Sequence, residues 1–278
     1  MTRIVVDSGC DFTEDMKNGS IPNLDLIPLH LQAGEKDFID DLDLDVSEYL
    51  DYMETCSAGA KTAAPSPELF LNSYKKEGDI FAVTVSSKIS STFNSAILAK
   101  QIYLEEIGEK FIHVIDSLSA GIAETLIVMK LNECIKKNLP NVEIIATINK
   151  FIEEMRTLFI LEKFDNLIKS GRINPYVAKL ASILSIKVIC GDNKGEIVMV
   201  DKALGYKKSI MRLIDIIKKH NVDFENRILG ITHVKCLERA MEYKNEILKK
   251  INFKDVVICE ARGIIATYAH KGGLVFSF

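Results

Sequence analysis

The sequence contains no long apolar run and no signal-peptide pattern. No window approaches the roughly 18 uninterrupted apolar residues that a membrane-spanning helix requires. The N-terminal segment Met1–Asp7 has only three apolar residues after its charged residue, which predicts a first strand rather than a signal peptide. We therefore expect a cytoplasmic protein.

Clustered metal-binding or redox cysteines are also missing. The six cysteines are scattered, with no CxxC pair and no clustering with histidine, which argues against zinc, iron–sulfur and redox motifs. A chain of 278 residues can bury a substantial core without disulfides. We expect no metal site and reduced, packed thiols at Cys10, Cys56, Cys134, Cys190, Cys236 and Cys259.

Several catalytic signatures are absent, including GxGxxG, GxxxxGK[ST] and HExxH. The segment Ser117–Gly121 approaches a GxSxG nucleophile elbow, but Ser117 stands where the first glycine is needed. A lipid hydrolase or acyltransferase with Ser90 or Ser119 as nucleophile stays open as an alternative function, and it needs a base supplied by folding. The net charge of −4 and the lack of a basic stripe argue against nucleic-acid binding.

What the first half does contain is an alternation of apolar runs and amphipathic stretches. Strands are predicted at Ile4–Val6, Ile80–Val85 and Ile112–Ile115, and helices at Lys88–Ile107 and Gly121–Lys137. This alternation predicts βαβ units, and hence an α/β domain with a parallel sheet over residues 1–155.

The second half mixes a hairpin with βα units. Strand-like runs at Ser185–Cys190 and Gly195–Val200 are joined by turn residues at Gly191–Lys194. The mixture predicts a smaller α+β domain over residues 156–278. Further elements are predicted at Lys207–Lys219, Ile228–Thr232, Cys236–Lys250, Val256–Glu260 and Leu274–Phe278.

A dense hydroxyl cluster lies between a predicted strand and a predicted helix. One hydroxyl suffices to cap a helix, whereas a helix N-terminus at the edge of a parallel sheet also suits a carboxylate or phosphate. From these residues alone, simple capping and anion binding stay equally open. The cluster comprises Thr84, Ser86, Ser87, Ser90, Ser91 and Thr92.

Carboxylates occur at two strand ends and in one acidic run. Asp7 and Asp116 each follow a strand without a second carboxylate nearby, which favours hydrogen bonding to loop N–H groups over metal binding or catalysis. The acidic run lacks the glycine and closing glutamate of a calcium loop, so we expect a solvated loop. The run contains Asp40, Asp41, Asp43 and Asp45.

The segment Leu167–Ile173 predicts a helix that ends at Gly171, with Arg172 immediately beyond it. An arginine held in this way can brace a loop or bind a carboxylate. The residues alone favour the brace slightly.

Six segments in this order resemble the DegV family, and the resemblance spans essentially the whole chain. They are Asp7–Asp11, Lys61–Pro67, Ser86–Ala96, Asp116–Ser117, Ser170–Ile173 and Gly263–Phe278.

The resemblance implies a two-domain α/β architecture with a long-chain fatty acid bound between the domains and no cofactor. It implies a carrier without its own catalysis, which presents the acid to a fatty acid kinase catalytic subunit for acyl-phosphate formation in lipid synthesis. Thr62 and Ser90 match the family's carboxylate-contacting Thr and Ser, and Arg172 lies close to the head group.

Two departures from the family concern the same site. Ser91 stands where many members have glycine in Ser-Gly-Thr, and we include it among the expected carboxylate contacts. Tyr268 stands where the family has a histidine, and we expect it rather than His270 to contact the carboxylate because a tyrosine hydroxyl can donate as a neutral histidine does.

The basic residues of the Lys207–Lys219 helix allow two interpretations: a solvated face, which we favour, or a patch that contacts anionic lipid transiently during acid exchange.

Overall fold

The computed structural model describes residues 1–56, 59–174, 176–177, 185–220 and 222–278. The strands are β1 Thr2–Asp7, β2 Leu24–Ile27, β3 His30–Ala33, β4 Lys36–Ile39, β5 Ala60–Ala63, β6 Asp79–Thr84, β7 Ile112–Asp116, β8 Thr157–Ile160, β9 Ile186–Asn193, β10 Glu196–Leu204, β11 Ile228–His233, β12 Asp255–Glu260 and β13 Leu274–Ser277. The α-helices are α1 Glu14–Lys17, α2 Val46–Thr55, α3 Pro67–Tyr74, α4 Thr92–Glu106, α5 Ile122–Lys136, α6 Asn141–Glu154, α7 Asp165–Lys169, α8 Gly205–Lys219, α9 Leu237–Leu248 and α10 Gly263–Ala269.

The first sheet has the order β2-β1-β6-β7, and all its pairings are parallel. Successive residues of β1 point to opposite faces: Ile4 and Val6 pack with α5 and α6, and Val5 packs with α3 and α4. Both faces are therefore covered by helices, which explains why these strands are apolar throughout. The predicted α/β fold with a parallel sheet is confirmed.

The second sheet has the order β10-β9-β8-β13-β11-β12 and is antiparallel except for the β11–β12 pair. One face packs on α8 and α9, and the apolar residues Ile210, Leu213, Ile214 and Ile217 of α8 are buried there. The other face turns toward α5 and α10. A third sheet, β4-β3-β5, is small and antiparallel. The predicted division at residue 155 stays a prediction.

The hairpin is confirmed, but its predicted turn is wrong. Gly191 pairs with Val198 and Asp192 with Ile197, so β9 continues to Asn193 and the chain reverses at Lys194-Gly195. Gly195 has φ +89, and a Cβ there would lie 2.5 Å from Ser86 Oγ. The turn therefore needs glycine both for its conformation and for its contact with the loop after β6.

The predicted helix start at Lys88 is also wrong, because α4 begins at Thr92. Ser86 O accepts the N–H groups of Ile89 and Ser90, and Ser86 Oγ accepts that of Lys88. A serine that binds nearby backbone groups in this way competes with helix formation. The hydroxyl cluster therefore lies mainly in a loop. Throughout the described part of the chain, no helix is long and apolar enough to cross a membrane.

Asp40 is the largest departure from the sequence expectation. It was predicted in a solvated loop but is fully buried. Its carboxylate accepts the N–H groups of Gly263 at 3.0 Å and Ile264 at 2.8 Å, and Arg262 Nη2 lies 3.5 Å away. The start of α10 therefore supplies the partners that make burial of this charge tolerable.

Candidate functional site

A cavity lies between the loops that follow β6 and β7, helix α10 and one face of the second sheet. Most of the side chains that line it are apolar, for example Leu29, Val85, Leu118, Phe159, Ile264 and Val275. Its position at the carboxyl ends of parallel strands is where open α/β sheets bind ligands.

Three polar side chains meet in one part of the lining. Arg172 Nη1 donates to Tyr268 Oη at 2.8 Å, and Tyr268 Oη lies 2.7 Å from Thr62 Oγ1. The Arg172 guanidinium also lies over the Tyr268 ring, with Cζ 5.0 Å from the centroid. The three residues come from three separate segments, so the fold assembles this cluster.

Ser90 lines the same cavity from the loop after β6. Its Oγ lies 2.8 Å from Thr92 Oγ1 and accepts the N–H of Thr92 at 3.3 Å. Arg172 Nε donates to Ile89 O at 2.6 Å and so ties this loop to Tyr268. We call Thr62, Ser90, Arg172 and Tyr268 the head-group cluster.

The Arg172 guanidinium supplies the positive charge that an anionic ligand needs as a partner. Its contacts within the described chain are to a carbonyl, a hydroxyl and an aromatic ring, and none is to a carboxylate. The head-group cluster thus combines one guanidinium with three hydroxyls beside an apolar space. Such a set suits a ligand with an anionic end and an apolar body.

Local structure explains how two of these residues are positioned. Helix α7 ends at Lys169, and Gly171 follows with φ +70, which confirms the predicted glycine cap and places Arg172 directly beyond it. Tyr268 is on α10, whose first turn is fixed by Asp40 and by Asp11, which accepts the N–H of Arg262 at 2.8 Å.

Two further residues considered from the sequence lie outside the cluster. Ser91 is exposed at the N-cap position of α4 and does not line the cavity, because the loop turns its neighbour Ser90 inward instead. His270 is buried beyond the end of α10 and is not among the lining residues either. The carboxylate-binding roles of the four residues in the head-group cluster stay predictions.

The alternative with a serine nucleophile finds no support in the geometry. Ser90 contacts Thr92, and Ser119 Oγ lies 2.8 Å from Thr157 Oγ1. Neither hydroxyl bonds to a histidine or a carboxylate among the described residues, and no histidine is among the residues that line the cavity. The described residues also contain no group of three or more side chains that could hold a metal ion.

Sequence reasoning missed a cluster of buried acids behind the cavity wall: Asp7, Asp11, Asp40 and Glu124. Burial raises the pKa of Asp7 and of Asp11 to about 7, and it raises the pKa of Glu124 well above its usual value. Asp7 accepts the N–H groups of Gly9 at 2.7 Å and Val85 at 2.8 Å, as expected for a structural carboxylate. In the sequence, Asp7 directly follows a strand and Asp40 stands in an acidic run, and neither position indicates burial together with Asp11 and Glu124.

Glu124 leads to a prediction about stability and pH. Neither of its carboxyl oxygens has a hydrogen-bond partner within the described structure. Because its pKa is raised in the fold, the stability that it contributes is complete below its unfolded pKa and is lost as the pH rises toward the folded pKa. Glu124→Gln should therefore match the wild type at pH 4 and exceed it at pH 8, measured by urea unfolding.

Glu133 on the same helix provides the control with the opposite sign. Its hydrogen bonds with Lys137 and Lys130 lower its pKa to about 2, so its contribution is present above its unfolded pKa and is lost as the pH falls. Glu133→Gln should be slightly less stable than the wild type at pH 8. A Glu124→Gln variant that is less stable than the wild type at pH 8 would show that Glu124 is ionised in the fold.

Comparison with known proteins gives consistent matches over the full chain. Residues 1–278 match the family model described as "Uncharacterised protein, DegV family". A DegV domain-containing protein of Streptococcus gordonii is 33% identical over 277 residues, which cover 99% of this chain and 98% of that protein.

Two solved structures are similar in both sequence and fold. A DegV family protein from Ruminococcus gnavus, refined with vaccenic acid, has 34% identity and a TM-score of 0.93, covering 100% of this chain and 99% of its own. The Streptococcus pneumoniae Fatty Acid Kinase (Fak) B3 protein, loaded with linoleic acid, has 30% identity and a TM-score of 0.92, with the same coverage.

Proposed function

The chain belongs to the DegV family, and on that premise we propose that it binds one long-chain fatty acid in the cavity. The carboxylate lies at the head-group cluster, and the alkyl chain lies among the apolar side chains. The observation that carries the proposal is the junction of one guanidinium and three hydroxyls with a largely apolar cavity. The fatty acids held by the two solved relatives support it.

The two ends of the ligand contribute differently to binding. Each buried CH₂ contributes about 0.8 kcal/mol, so a chain of about fifteen carbons supplies on the order of 12 kcal/mol before ordering costs. The carboxylate loses its hydration and must recover hydrogen bonds from Thr62, Ser90, Arg172 and Tyr268. The alkyl chain thus provides most of the affinity, and the head-group cluster sets the orientation.

We further propose that the protein is a carrier that presents the acid to a separate fatty acid kinase catalytic subunit. The kinase transfers the γ-phosphoryl group of ATP to a carboxylate oxygen and releases ADP and an acyl phosphate. Arg172 and Ile89 line both the cavity and an adjoining surface groove with Lys88 and Asn174, so this groove leads to the head group. The relative that is a Fatty Acid Kinase B3 protein supports this role.

A cytoplasmic location follows from this role, because the kinase needs ATP. The exposed basic residues of α8 support transient contact with an anionic membrane during acid exchange. These residues are Lys207, Lys208, Arg212, Lys218 and Lys219.

Native mass spectrometry of the purified protein tests the binding proposal. We expect one long-chain acid per chain, released on denaturation. In a separate test of the membrane contact, delipidated protein should reload faster from vesicles with phosphatidylglycerol than from vesicles of pure phosphatidylcholine. Adding a fatty acid kinase catalytic subunit, ATP and hydroxylamine to the loaded protein should give an acyl hydroxamate. Purified protein that carries no fatty acid and does not bind added acid contradicts the binding proposal. Loading with acid that yields no hydroxamate contradicts the carrier role alone. Equal loading rates from the two kinds of vesicle contradict the membrane contact.

A further inference from the structure

A second group of polar side chains interrupts the apolar lining of the cavity. Ser119 and Thr157 both line it, with 2.8 Å between their hydroxyl oxygens, and Asp192 lines it beside them. Asp192 Oδ1 accepts the N–H of Thr157 at 2.8 Å. A plain alkyl chain offers no hydrogen bond to any of these groups.

The directions of the neighbouring hydrogen bonds leave Ser119 Oγ able to accept one more hydrogen bond. Ser277 Oγ lies 3.1 Å from Arg156 O, a group that can only accept; with the Ser277 proton used there, Thr157 is the donor in its 3.2 Å contact with Ser277. The proton of Thr157 is then used, and Ser119 must donate to Thr157. The lone pairs of Ser119 Oγ receive no donor from the described residues, although the residue is only 6% exposed.

Along β8 and β13, this hydroxyl pair lies at the opposite end from the last turn of α10, which carries Tyr268. Thr157 pairs with Ser277 at one end of β8 and β13, and Ile160 pairs with Leu274 at the other end. Gly273, beside Leu274, packs against the last turn of α10, near Tyr268. The two ends are three residue steps apart along β8, which is a distance of about 10 Å.

We propose that Ser119 and Thr157 form a subsite for a hydroxyl group on the alkyl chain, so that long-chain hydroxy fatty acids are the preferred ligands. This inference rests on the proposed function, since it assigns the alkyl chain to the same cavity. The ligand hydroxyl donates to Ser119 Oγ, and Asp192 adds a second acceptor nearby. An unsubstituted chain leaves the buried Ser119 Oγ without a donor, which disfavours it.

Competition between stearic acid and 12-hydroxystearic acid for the delipidated protein, read by native mass spectrometry, tests the preference. The wild type should favour the hydroxy acid by about tenfold, the effect of one recovered hydrogen bond. It should not favour 2-hydroxystearic acid, whose hydroxyl lies beside the carboxylate. Ser119→Ala should abolish the preference, whereas Thr62→Val should weaken the binding of both acids equally.

Equal binding of stearic and 12-hydroxystearic acid by the wild type overturns the inference and leaves the proposed function standing. A preference that persists in folded Ser119→Ala overturns the assignment to this pair of hydroxyls. If the protein binds neither acid, the proposed function itself fails. The comparison within the wild type requires no variant to fold.

Discussion

Arg172→Met should weaken fatty-acid binding by roughly thirtyfold or more, while the protein stays folded. Removing one partner of a buried, hydrogen-bonded charge pair costs about 2–5 kcal/mol, and about 1.4 kcal/mol corresponds to a tenfold change in affinity. Arg172 is the one cation of the head-group cluster, and it also joins Tyr268 to the loop carrying Ser90. The dissociation constant is measured by displacement of a fluorescent fatty acid.

The matched control is Lys88→Met, which removes one positive charge from the adjoining surface groove. Lys88 is exposed and does not line the cavity, so its loss should change the affinity less than threefold. Equal effects of the two substitutions would mean that the carboxylate responds only to the general charge of this region. An Arg172→Met protein that binds as the wild type does would remove Arg172 from the head-group cluster.

Asp40→Ala should lower the free energy of unfolding by about 3–5 kcal/mol, the usual cost of removing one partner of a buried ion pair. The substitution leaves the Arg262 charge buried and deprives the N–H groups of Gly263 and Ile264 of their acceptor. Burial outweighs Arg262 and raises the pKa of Asp40, so this site is costly to build even in the wild type. Urea unfolding at pH 7 gives the difference directly.

Asp43→Ala in the same loop is the control for this substitution. Asp43 is exposed, so its loss should change the free energy of unfolding by less than about 0.5 kcal/mol. Asp40 fixes the first turn of α10, and Tyr268 lies in the last turn of the same helix. Asp40→Ala should therefore also weaken acid binding under conditions in which the variant protein is folded. An Asp40→Ala protein within about 1 kcal/mol of the wild type would contradict the role assigned to this carboxylate.

The parallel sheet and the main helices could be predicted because each is encoded locally. Residues Ile4–Val6 form a short apolar run typical of a strand covered on both faces, and the core residues of α5 recur at helical spacing. The hairpin turn was misplaced because Gly191, Asp192 and Asn193 have turn composition. Their pairing with β10 overrides that local preference.

The head-group cluster could not be derived from local sequence. Thr62 and Tyr268 are 206 residues apart, and Arg172 comes from a third segment. The local sequence indicates Arg172 beyond a glycine cap and Ser90 within a hydroxyl-rich turn. Only the family resemblance predicts that the two residues belong to one site. Asp40 was misjudged for the same reason, since its partner Arg262 lies 222 residues away.

A crystal structure of the protein loaded with 16-bromohexadecanoic acid tests the central claim most directly, because anomalous scattering locates the bromine at the end of the chain. The carboxylate should lie within hydrogen-bond distance of Thr62 Oγ1, Tyr268 Oη and the Arg172 guanidinium, with the bromine among the apolar side chains. A bromine beside Arg172, or a carboxylate bound at Ser119 and Thr157, would contradict the account.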